Sequence, residues 1–109
     1  LDPELIRTLI RQTLERSAGP PPAGAVICLC AAWCGVCRDY RAVFDEAART
    51  HPSLVFRWID VEDEADDAGD LDIETFPTLL VSDGNTLLHA GPLNPQAAHL
   101  LRLLRNFAP

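Results

Sequence analysis

The chain has 109 residues, 48% of them apolar and 23% charged, with a formal net charge of −7 at pH 7. That is enough apolar content for one hydrophobic core and the right length for one domain spanning 1–109. No apolar run approaches the roughly 18 residues needed to cross a bilayer, and an acidic chain is poorly suited to phosphate backbones, so neither membrane nor nucleic acid is an expected partner.

The charge is uneven. Residues 60–74 hold nine acids and no base, whereas all nine basic residues are Arg and lie elsewhere. Such a run reads either as a solvated helix face with its flanking loops or as a surface that selects basic partners. No charged-then-apolar leader is visible, so the expected location is cytoplasmic, or periplasmic if a leader lies upstream of Leu1.

Asp2-Pro3-Glu4 predicts a helix start, with Asp2 as N-cap and Pro3 in the first turn. Leu5, Ile6, Leu9, Ile10 and Leu14 follow at helical spacing, and Pro20, Pro21 and Pro22 break the helix. Residues 25–31 form a continuous apolar run of strand length, the pattern of a strand buried on both faces. Residues 34 to about 49 read as a helix with the stripe Tyr40, Val43, Phe44, Ala47 and Ala48, ended by Pro52. Residues 54–60 predict a strand with Leu54, Phe56 and Trp58 on one face and Val55 and Ile59 on the other. Two strands joined by such a helix make a βαβ unit.

A short helix is expected near 64–71, inside the acidic run. Residues 77–82 and 86–90 read as a hairpin around Asp83-Gly84-Asn85. Asn94-Pro95 is expected to cap a last helix, with Ala97, Leu100, Leu101 and Leu104 facing inward. The fold class is therefore α/β, a central sheet of about four strands flanked by helices.

Four cysteines crowd between positions 28 and 37. A disulfide-stapled secreted fold would spread them to close large loops, so this clustering indicates local chemistry. Cys34 and Cys37 are separated by two residues at a predicted helix N-terminus. Unpaired N–H groups and the helix dipole favour an anion there, and thiolate is the nucleophile of disulfide exchange. One turn later, the second thiol is placed to attack a mixed disulfide formed on the first. Gly35 keeps the turn uncrowded, and Arg38 adds positive charge.

Cys28 and Cys30 share one face of the buried strand. Packing as small apolar residues, secondary redox chemistry and a four-cysteine metal site are all open readings there. His51, His89 and His99 share no ligand spacing, and no metal or catalytic role is expected of them.

Trp33-Cys34-Gly35-Val36-Cys37, followed about forty residues later by Phe76-Pro77-Thr78, resembles the thioredoxin family over roughly residues 25–107. The resemblance implies a thioredoxin-like fold and a thiol–disulfide oxidoreductase in which Cys34 attacks a protein disulfide and Cys37 resolves it. It implies a cis Pro77 beside the cysteine pair, with Trp33, Gly35, Val36, Phe76 and Pro77 contacting substrate. It also implies protein disulfide substrates, an upstream dithiol reductant such as a thioredoxin-reductase-like enzyme, and no metal or organic cofactor. A thioredoxin-like binding or chaperone module with little turnover, or a metal-binding cysteine site, are the alternatives. The chain departs from the family pattern at four places. Val36 stands where thioredoxin itself usually has Pro. Cys28 stands where the family buries an acid, and Trp58 stands near that acid's usual basic partner. The family's first strand is missing or shortened.

Overall fold

The computed structural model describes residues 2–31, 33–63, 73 and 75–107. The short helix expected near 64–71 lies outside them.

Helix α1 (Pro3–Glu15) begins as its sequence dictates. The Asp2 carboxylate accepts the Glu4 N–H at 3.0 Å, and Pro3 occupies the first turn, where its missing N–H costs nothing. Ile6, Leu9 and Ile10 are buried, and the buried Thr13 hydroxyl donates to the Leu9 carbonyl at 2.7 Å. Replacing Asp2 by Ala is expected to lower stability by about 1 kcal/mol in urea unfolding, the usual cost of losing an N-cap.

Strand β1 (Gly24–Cys30) is buried along its whole length. Helix α2 (Gly35–Thr50) then crosses to β2 (Leu54–Asp60), which pairs parallel to β1 with Gly24 opposite Leu54 and Cys30 opposite Asp60. Strand β3 (Thr78–Ser82) pairs antiparallel to the other edge of β1, and β4 (Leu87–Pro92) pairs antiparallel to β3. The sheet order is β2-β1-β3-β4. Helix α3 (Ala97–Leu103) and a 3-10 turn (Leu104–Asn106) follow.

Alternation along the strands sorts the core into two layers. Val26, Cys28, Cys30, Leu79 and Val81 face α2 and α3, where Tyr40, Phe44, Leu100 and Leu104 meet them. Ala25, Ile27, Leu29, Ile59 and Leu80 face α1. Phe44 holds β2 through edge-on ring contacts with Phe56 at 5.3 Å and Trp58 at 5.5 Å. Gly24 is required by close approach, since an added Cβ would run into the Ser82 carbonyl.

The β3–β4 connection follows its turn chemistry. The Asp83 carboxylate accepts the N–H groups of Asn85 and Thr86 at 2.9 and 2.7 Å, and Gly84 takes φ +95°. At α3 the expectation needs correction. The helix starts at Ala97 with Gln96 as N-cap, while the Asn94 side chain accepts the Gln96 N–H one step earlier. Leu100 and Leu104 point inward, but Leu101 is 47% exposed and Ala97 is also on the surface. In so short a helix the inward stripe is narrow, and Leu101 lies about 100° around the axis from Leu100.

Candidate functional site

The C-terminal end of β1 and the N-terminal end of α2 meet at one edge of the core. After Cys30 the chain makes a tight turn in which the Cys34 N–H donates to the Ala31 carbonyl at 3.0 Å. Cys34 is the N-cap of α2 in extended conformation, and its carbonyl accepts the Arg38 N–H at 3.2 Å. Its side chain makes no capping bond, is half-buried, and carries a free thiol.

Cys37 lies one turn further on and faces inward with 1% exposure. Its sulfur is bonded to Cys30, which is also 1% exposed, with the two Cα atoms 5.8 Å apart. Cys37 is therefore joined to β1 and not to Cys34 in this structure. The Cys28 sulfur is 3.7 Å from that of Cys30. Three sulfurs thus lie together beneath the start of α2, with Cys34 packed against the same cluster. Strand parity put Cys28 and Cys30 on one face, but the bond from Cys30 to Cys37 was missed by sequence reasoning. Packing alone does not describe Cys30. Among the described residues, no group of three or more His, Cys, Asp or Glu is placed to hold a metal ion.

Burial pushes the Cys28 thiol well above the usual thiol range, against a smaller downward pull from the Arg41 charge. The Tyr40 hydroxyl is raised likewise, first by burial and then by Cys28, and it finds no hydrogen-bond partner among the described residues. Cys28 stays protonated in the fold at pH values where the unfolded chain releases its proton. The unfolded state then binds fewer protons, so stability falls as pH rises, by about 1.4 kcal/mol per unit above about pH 8.5. In urea unfolding under excess reductant between pH 8.5 and 10, Cys28→Ala is expected to show a flatter decline than the wild type. Parallel declines would mean that Cys28 is not held neutral by the fold.

Around the cysteines, Trp33 is 64% exposed. Its indole N–H donates to a Glu62 carboxylate oxygen at 2.7 Å, and its ring meets Phe76 edge-on at 5.8 Å. The N–H groups of Glu62 and Asp63 in turn donate to Asp60. The acidic run therefore begins directly beside the cysteines, closer than its sequence position suggests. Gly35 and Val36 are exposed on the same rim.

The Phe76–Pro77 bond is cis and Pro77 is buried. The pairing of Leu29 with Thr78 places Pro77 one residue beyond, at the end of β1 that carries Cys30. The Pro77 carbonyl accepts the Leu93 N–H at 3.1 Å, and the Thr78 hydroxyl donates to Thr75 at 2.6 Å, which fixes the chain on both sides. Beside Cys37 a cavity of about 350 Å³ is lined by Ala31, Cys37, Arg38, Arg41, Trp58 and Asp60, with the Arg41 guanidinium 4.8 Å from the centre of the Trp58 ring.

His51 is engaged at the end of α2 with Thr50 and the Ala47 carbonyl, and His89 with the Gly91 carbonyl. No helix among the described residues is long and apolar enough to cross a membrane.

This arrangement defines an α/β protein with a cysteine pair at a helix start and a cis-proline strand entry beside it. In overall structure the chain is similar to thioredoxin O1 from Arabidopsis thaliana in its oxidised state. The TM-score is 0.70 at 19% identity, covering 97% of this chain and 88% of that one. It is similarly close to the oxidised mitochondrial thioredoxin 3 of Saccharomyces cerevisiae, with TM-score 0.71, 17% identity, and coverage of 94% and 90%. In sequence it is 35% identical over 69 residues to a putative thioredoxin 2 of Streptomyces coelicolor, covering 62% of this chain and 52% of that protein. It is 33% identical over 64 residues to a thioredoxin of Ophiophagus hannah, covering 59% and 61%. The matches thus span between half and two thirds of those two relatives' length. The thioredoxin family model matches residues 18–102, and the chain belongs to the thioredoxin family.

Proposed function

We propose that this chain is a thiol–disulfide oxidoreductase acting on protein disulfides, with Cys34 as the attacking thiol and Cys37 as the resolving thiol. The observation that carries the reading is the half-exposed free thiol of Cys34 at the N-cap of α2, one turn before the inward-facing Cys37. In the chain with Cys30 and Cys37 reduced, the Cys34 thiolate attacks one sulfur of a substrate disulfide, forming a mixed disulfide and releasing the other sulfur as thiolate. The Cys37 thiolate then attacks the Cys34 sulfur, forming the Cys34–Cys37 bond and expelling the substrate's second thiolate, which takes up a proton. Two electrons pass from the chain to the substrate, and an upstream dithiol reductant returns them.

Trp33, Gly35, Val36, Phe76 and Pro77 form the rim on which an extended substrate segment rests, with the backbone at Phe76 presented to it. Glu62 orients the Trp33 ring in that rim. No metal or organic cofactor enters the cycle. A reducing cytoplasm is the compartment this reading fits, because a thiol must be regenerated at each turn.

The test is reduction of insulin disulfides with a dithiol donor, paired with the Cys37→Ser variant. The wild type is expected to accelerate reduction, and Cys37→Ser to accumulate mixed disulfides through Cys34. No acceleration and no trapped adduct would replace the enzyme with a binding module, and metal in freshly purified protein would point to the cysteines as ligands.

A further inference from the structure

We propose that Cys30 is a second disulfide partner of Cys37, so that the oxidised chain exchanges between a Cys34–Cys37 bond at the surface and a Cys30–Cys37 bond in the core. Four observations meet here. Cys30 and Cys37 are bonded, one from the last position of β1 and one from the first turn of α2. Both are 1% exposed. Cys34 is left as a free thiol at the rim, one turn from Cys37. The Cys28 sulfur stands 3.7 Å behind that of Cys30.

The exchange needs no further oxidant. Once a substrate disulfide has oxidised Cys34 and Cys37, the Cys30 thiolate attacks the Cys37 sulfur. The Cys30–Cys37 bond forms, the Cys34–Cys37 bond breaks, and Cys34 leaves as a thiolate. The proton lost by Cys30 goes to solvent or to Cys34, and the chain's oxidation level is unchanged.

Physical chemistry favours the forward direction. The leaving sulfur sits at the N-terminus of a 16-residue helix, where unpaired N–H groups and the dipole receive its charge. The attacking sulfur, by contrast, bears its charge in the core only in passing. The neutral Cys28 thiol donates toward Cys30 and steadies that charge, which makes Cys28 a positioning residue for the step.

The two forms differ in what a partner meets. The Cys34–Cys37 bond opens to a dithiol reductant at the rim. The Cys30–Cys37 bond is closed to one, and it leaves Cys34 as a single exposed thiol without its resolving partner. Oxidation without prompt re-reduction thus converts a two-thiol reductase into a one-thiol protein that forms mixed disulfides and needs an external thiol to release them.

The proposal uses the Cys34–Cys37 reading only for the origin of the first bond, and the test separates the two. Wild-type protein oxidised by one equivalent of glutathione disulfide, enough for a single protein disulfide, is quenched in acid, unfolded and alkylated with N-ethylmaleimide. It is then reduced, alkylated with isotopically heavy reagent, and the labels are located by fragmentation. Light label on Cys28 and Cys34 with heavy label on Cys30 and Cys37 is the expected result, and both labels on Cys34 and on Cys30 with heavy label on Cys37 report the two bonds in exchange. Heavy label confined to Cys34 and Cys37 overturns the proposal. Independently, Cys34→Ser refolded from urea in a buffer of reduced and oxidised glutathione, which opens the buried thiols to oxidation, is expected to lose two of its three thiols, and Cys30→Ser/Cys34→Ser treated alike to keep both of its thiols. A Cys34→Ser protein that keeps all three thiols, or a double variant that still loses two, also overturns it. If the wild type reduces insulin while Cys34→Ser keeps three thiols, only the exchange fails. If Cys34→Ser forms its bond while the wild type is inactive on insulin, only the oxidoreductase reading fails.

Discussion

Serine at position 34 will abolish turnover of protein disulfides, by at least about a thousandfold, without loss of fold stability. The loss is near complete because no other sulfur can take over. Cys37 and Cys30 are each 1% exposed and Cys28 is wholly buried, so a substrate disulfide cannot reach them without unfolding the start of α2. A hydroxyl in place of the thiol does not ionise at neutral pH and does not attack a disulfide. Stability holds because position 34 is the N-cap of α2 and the Cys34 side chain makes no capping bond there. Serine is a preferred N-cap residue and adds a bond that cysteine does not supply. Insulin reduction and thermal unfolding, run on the same preparation, check both halves. Activity within a few fold of wild type would move the attacking thiol away from Cys34. A large fall in melting temperature would mean that the lost activity is a folding effect.

The contrast between Cys34 and Cys30 shows what was readable in the chain and what was not. The start of α1 was legible because Asp2, Pro3 and Glu4 act on N–H groups within a few residues of themselves. The β3–β4 turn was legible for the same reason, since Asp83 bonds the N–H groups two and three residues on. β1 was legible because a seven-residue strand buried on both faces leaves no polar position in the sequence. The Cys30–Cys37 bond depends on something else. Alternation tells which face of β1 carries Cys30, but which residue of α2 lies over it depends on how the helix comes down across that face. The same holds for Trp33 and Glu62, 29 residues apart and joined only because β2 ends beside the turn that precedes α2. Leu101 failed for a third reason. An apolar residue on a short surface helix fits the pattern equally well inside or out, and the inward stripe was filled by Leu100 and Leu104.

Aspartate at position 28, the acid that the family pattern would place there, will lower stability by about 4 kcal/mol at pH 7. Position 28 has no exposed surface and lies between Val26 and Cys30 on the core face of β1. Burial already holds its thiol neutral, and desolvation acts on a carboxylate in the same direction, raising its pKa above the ordinary 3.9 or so. The folded chain then keeps a proton that the unfolded chain gives up above about pH 4, so the penalty grows with pH by about 1.4 kcal/mol per unit until the folded pKa is reached. The cation within electrostatic reach is Arg41. Its guanidinium lies over the Trp58 ring and bonds Asp45 at 3.3 Å on the surface, so it compensates a core carboxylate only by giving up those contacts. Trp58 itself offers no charge where the family pattern sets a basic residue. Urea unfolding of wild type and Cys28→Asp at pH 4.5 and 7 reads the effect, and the stability gap between them is expected to widen by about 3 kcal/mol over that range. A gap of constant size would show the carboxylate ionised in the fold and paired with Arg41, which would make Arg41 the basic partner that this chain supplies from α2 instead of from β2.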